Sequence, residues 1–196
     1  MKKFFLVLLA SFSMVMASMG TAHAQFEAIM AQLLQQAASV PTPASSASST
    51  PSAVSQVINT MSNMTYVSGG SAFTPNSPSQ TLSTMSGNCN DLATYFTNTL
   101  QSAGLNTERV AEDLTLPNGQ QDGHVIGIAT NGVNAWLESD TAVQMFPSVQ
   151  AAVANGGVGM VTSYGAGVPA GTQVSGQVVY GGTYIPGQQI KAAQGE

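Results

Sequence analysis

Between Asn88 and Gly104 the chain spells out one complete helix with both ends marked. Leu92, Phe96, Leu100 and Ala103 recur at helical spacing, so one face is apolar and must pack against something. Asn88 with Asp91 three residues on reads as an N-cap with an acid in the first turn. Gly104 stands where a left-handed C-terminal cap belongs. Downstream, residues 124–130 and 133–140 form two strand-like runs flanking Asn131-Gly132, a strong hairpin signal. The pairing of one amphipathic helix with strands predicts an α+β fold, the helix packed on an antiparallel β-sheet.

The remainder is organised around that core. Lys2-Lys3, an apolar run from Phe4 to about Met19, and Ala22-His23-Ala24 describe a secretory signal peptide over residues 1–24. A periplasmic or secreted protein is therefore expected, without membrane insertion after cleavage. Residues 25–58 read as a short helix (25–38) followed by a Ser/Ala/Pro-rich linker over 39–55, too poor in large apolar groups to offset chain entropy. Residues 59–190 are taken as the folded domain. Within it, 107–111 reads as a strand and 111–123 as a polar, acidic loop. Residues 149–154 read as a short helix, with strand-like runs at 159–164, 172–180 and around 183–185. The last ten residues look frayed.

Charge narrows the partners. The four basic residues include Lys2 and Lys3 of the leader, which leaves Arg109 and Lys191 against nine acids. Nucleic acid and anionic membrane both want a basic patch, so neither is expected as a partner.

Cys89 is the only cysteine, so an internal disulfide is excluded. A thiol in the first turn of a helix faces unpaired N–H groups and the positive end of the dipole, which favour the thiolate. On that ground Cys89 is expected to alkylate appreciably at pH 6. Its flanks, Gly87, Asn88, Asn90 and Asp91, suit a cap and a turn better than a core. Beyond the leader, His124 is the sole imidazole. Cysteine hydrolysis needs such a ring to take the thiol proton and return it to the leaving group. It also needs a third group to hold the ring, and the return strand offers Glu138 and Asp140 on one face with Trp136. A three-residue hairpin loop would set Glu138 opposite His124; a five-residue loop would set Asp140 there.

The run Gly87-x-Cys89-x-Asp91-x-Ala93-x-x-Phe96-x-x-x-Leu100-x-x-x-Gly104-Leu105, followed by Val110, resembles the nucleophile helix of the transglutaminase-like superfamily. It is close to the signature of the bacterial transglutaminase-like cysteine proteinases, the LapG-type periplasmic enzymes. Thr74-Pro75 and Gln80-Thr81-Leu82 resemble the segment those proteinases place before the cysteine. Trp136 and Asp140 follow His124 at a spacing typical of the superfamily. The resemblance implies a papain-like core in which Cys89 is the nucleophile, His124 the acid/base and Asp140 the orienting acid. Glu138 is the alternative to Asp140, because Leu137-Glu138-Ser139 imitates a Leu-Asp-Asn of the proteinase branch. Gln80 is the residue named for the oxyanion site. Asp91 matches a family aspartate, which capping would explain equally well.

The resemblance implies an exported cysteine peptidase or amidase working through a Cys-His-Asp triad and a thioester acyl-enzyme on a protein or peptide substrate. Two other readings stay open: a transglutaminase or transpeptidase passing the acyl group to an amine, and a non-catalytic binding module on the same fold. No cofactor is expected. Calcium enters by resemblance only, since Glu112, Asp113 and Asp122 are hard oxygen ligands without an EF-hand spacing, and no metal ligands are assigned. Substrate identity and oligomeric state are not written in the sequence.

Overall fold

The computed structural model describes residues 50–69, 73–152 and 169–191. The expected helix over 25–38 and the strand-like run at 159–164 lie outside them. The described elements, in order, are α1 (Thr50–Met61), β1 (Thr65–Tyr66), α2 (Pro78–Thr84), β2 (Ser86–Gly87), α3 (Cys89–Ser102), β3 (Asn106–Thr115), β4 (Gln121–Thr130), β5 (Ala135–Ser139), β6 (Ala142–Phe146) and β7 (Gln173–Gly181). Residues 149–152 are also helical. Five strands form an antiparallel sheet in the order β6-β5-β4-β3-β7, while β1 and β2 pair in parallel.

The two faces of the sheet carry separate cores. On one, Leu92, Phe96 and Leu100 of α3 pack with Ala129 and Trp136, and α1 adds Val54, Val57 and Met61. On the other, Val110, Leu114, Ile126, Ile128 and Leu137 meet Phe146, Val149 and Ala152. This is the α+β architecture expected, with α3 laid across the sheet. Gly127 lets it come close: a Cβ there would stand 2.7 Å from Phe96 Cδ1 and 3.2 Å from Thr97 Cγ2.

Three expectations change. Residues 50–55, expected in the linker, lie in α1, because Val54 and the neighbouring Val57 bury themselves against α3 and offset the ordering cost. The acidic stretch 111–123 is mostly sheet, its true turn being Leu116–Gln120, since Glu112 and Asp113 are main-chain partners of His124 and Gly123. Residues 183–185 are not a strand. They belong to a strap held in place as far as Lys191, so the tail is anchored rather than frayed up to that point.

Candidate active site

The start of α3 is built around one carboxylate. Asn88 accepts the Asp91 backbone N–H at 3.0 Å, and Asp91 Oδ2 accepts that of Asn88 at 3.1 Å, a complete capping box. Asp91 Oδ1 also accepts the Asn76 N–H at 2.7 Å, tying the preceding segment to the helix. Gly87 makes room for this, since a Cβ there would lie 2.6 Å from the Asp91 Cβ. The Gly-x-Cys-x-Asp pattern is thus a device for presenting Cys89 as the first helical residue.

Cys89 packs against a small apolar cluster of Ala93, Ala111, Val125 and Ile190. The residue is half-buried, and desolvation of its thiol pushes it up to about 12. The backbone N–H groups of Val125 and Asn90 pull the other way, while the carboxylates of Asp140 and then Glu138 push it further up. Burial thus works against the helix terminus and against the expectation of a thiol reactive at pH 6.

Asp140 and Glu138, expected behind the imidazole, lie within electrostatic reach of the sulfur. Asp140 occupies the turn after β5 with a left-handed backbone (φ 57°) and is buried. Glu138 is fully buried, its Oε2 accepting the Gly127 N–H at 3.0 Å while Oε1 has no partner. Burial, with Asp140 beside it, raises Glu138 well above the usual carboxylate range. Tyr66, which sequence reasoning missed, joins this group. The parallel pairing sets it beside Gly87, and burial, Cys89 and Asp140 raise its phenol to about 12. No sequence motif marks it, because only the β1–β2 pairing brings it there.

His124 is placed differently. Thr130 pairs with Ala135 and Gly127 with Glu138, so the hairpin loop has four residues, neither three nor five. An even loop changes the parity: neither acid stands opposite the histidine. Val125 faces α3 in the Cys89 cluster, whereas Ile126 and Ile128 face the second core. By strand alternation His124 belongs with the latter. Its Nε2 lies 3.1 Å from Ser139 Oγ, and burial holds the ring down at about 4, with Asp122 opposing. The His124 main chain therefore adjoins the thiol, through the Val125 N–H, while its imidazole is turned to the other face of the sheet.

Gln80 is exposed and occupied by its own helix. Its Oε1 accepts the Ser77 N–H at 3.0 Å and the Ser77 hydroxyl at 2.9 Å, completing the α2 capping box. Glu112, Asp113 and Asp122 do not converge, and no group of three or more His, Cys, Asp or Glu able to hold a metal occurs among the described residues.

The sequence model of the Transglutaminase-like superfamily matches residues 35–141, more than half of the chain. No curated protein matches the sequence. Among solved structures, Legionella pneumophila LapG matches with a TM-score of 0.37 and 16% identity over 58% of this chain. The match spans 63% of that protein, less than two thirds of its length.

Proposed function

The chain belongs to the transglutaminase-like superfamily, and from that membership we propose that it is an exported cysteine peptidase or amidase held in a latent state. One observation carries the reading: Cys89 is the first residue of a capped helix, its sulfur against the Val125 N–H and within reach of the Asp140 and Glu138 charges. In this proposal Cys89 attacks the substrate's acyl carbon. The thiol proton passes to His124 and on to the departing amine, and water then releases the acyl group from the thioester. Asp140 is the acid that orients the charged ring.

The productive form requires the His124 ring to cross to the α3 face. The needed change is local. β4 is paired with β3 alone between Gln121 and Ile126, and Gly123 immediately precedes the histidine. In this proposal a one-residue bulge there would turn the His124 side chain to the α3 face while α3 keeps its place.

The non-catalytic module is the second reading, favoured by the His124–Ser139 contact on the far face of the sheet. Incubation with an unstructured protein substrate, with and without a primary amine, separates the readings by mass spectrometry. The enzyme reading expects cleavage products and an acyl adduct on Cys89. Both vanish in Cys89→Ala and fall at least ~100-fold in His124→Ala. An amide-linked amine in the product would identify the transferase. No adduct and no product, from the wild type and also from a variant whose Cys89 alkylates at the rate of an open thiol, would favour the module.

A further inference from the structure

After β7 ends at Gly181 the chain runs back across α3 as a strap. Thr183 Oγ1 donates to Gln101 Oε1 at 2.7 Å and the Tyr184 N–H donates to Asn98 Oδ1 at 3.0 Å, both on the exposed side of α3. The buried Arg109 guanidinium holds the strap from beneath, donating to the carbonyls of Gly181 at 2.9 Å and Thr183 at 3.0 Å and to Gln188 Oε1 at 2.9 Å. At its far end Lys191 and the Tyr180 hydroxyl exchange hydrogen bonds of 3.2 and 2.7 Å.

From Thr183 to Lys191 only Ile190 is fully buried. Its side chain completes the cluster of Ala93, Ala111 and Val125 against which Cys89 packs, and its N–H is taken by the Phe73 carbonyl at 2.5 Å. Two alanines and a valine pack round one branched side chain beside the Cys89 thiol, on a segment whose own main chain is captured by a neighbouring carbonyl. A peptide substrate would be held in the same manner.

We propose that the strap is a built-in pseudosubstrate: Ile190 plugs a subsite beside Cys89, and the same subsite receives a branched aliphatic side chain of a polypeptide substrate. The substrate class rests on the acyl-transfer reading above; the occlusion of the thiol does not. The strap's other ties include the exposed Thr183–Gln101 and Tyr180–Lys191 hydrogen bonds, which water replaces at little cost, and the bonds to the buried Arg109 guanidinium, so release requires both withdrawal of Ile190 and opening of the Arg109 bonds. Until it withdraws, the sulfur is desolvated and its approach is filled.

The test is the rate of Cys89 alkylation by iodoacetamide at pH 8 in the full chain, read by intact mass. Ile190→Ser is expected to label at least ~10-fold faster than wild type while keeping one cooperative thermal transition, and Ile190→Leu to stay within about twofold. A synthetic peptide of residues 187–191 should slow labelling of Ile190→Ser, and the same peptide with serine for isoleucine should not. Gln188→Ala, which loosens the strap without touching the cluster, should label several-fold faster. Wild-type rates in both Ile190→Ser and Gln188→Ala, or acceleration that the peptide fails to reverse, would overturn the proposal. Unmasked labelling without any acyl adduct would leave the plug standing and sink only the enzyme reading. Acyl transfer with labelling indifferent to Ile190 would do the reverse.

Discussion

The Asp91 carboxylate accepts the Asn76 N–H through one oxygen and the Asn88 N–H through the other, and its own N–H is taken by Asn88. Removing it leaves the buried Asn88 N–H without an acceptor, while water can take the place of the carboxylate at the exposed Asn76. Asp91→Ala should therefore cost about 1–3 kcal/mol, the range for one unsatisfied buried donor. The measurement is a urea titration, whose midpoint should fall at constant slope. At the next position that matters, desolvation of Cys89 opposes the helix terminus and wins. Wild-type protein should thus alkylate slowly at pH 7, its rate climbing past pH 10. A midpoint near the ordinary thiol value of ~8.5 would show the sulfur to be open to water.

At the scale of elements, the contact between α3 and the sheet is the close one. Gly127 brings β4 to within van der Waals distance of Phe96 and Thr97, and the same residue donates its N–H to Glu138. Gly127→Ala should force the helix outward and destabilise by about 1–3 kcal/mol, the usual range for overpacking. Denaturant unfolding checks it, as does partial loss of the near-ultraviolet signal of Trp136, which packs in the same core. The helix itself is legible in the amino-acid order alone, because caps and 3.6-residue periodicity are local properties of the chain. The hairpin is legible too, but not its register. Asn131-Gly132 announces a turn without announcing how many residues stand outside the ladder, and that count alone sets which face each side chain of β4 and β5 occupies relative to the other strand.

For the molecule as a whole, buried ionisable groups make stability depend on pH. Burial raises Glu108 and Glu112 to about 7, so the folded state keeps protons that the unfolded chain releases near the ordinary 4.5. Their contribution is full below 4.5 and is lost as pH rises through 7. His124, lowered to about 4, acts oppositely: its contribution is present above 6.5 and is lost as pH falls toward 4. Three carboxyl groups, Glu138 being raised as well, against one imidazole leave the protein more stable at pH 5 than at pH 8. Glu112→Gln should flatten that difference, as thermal unfolding followed between these pH values would reveal. A melting temperature that rises toward pH 8 would refute the assignment. By itself the sequence determined the helix that begins at Cys89, its capping aspartate, the presence of sheet and the family, because each is written in short-range spacing. Only the tertiary structure decided which side of the sheet the imidazole takes, that Tyr66 stands near Cys89, and that Ile190 packs in the Cys89 cluster. Those outcomes depend on loop parity and on contacts between distant segments, where burial, rather than local pattern, selects among conformations the chain could otherwise adopt.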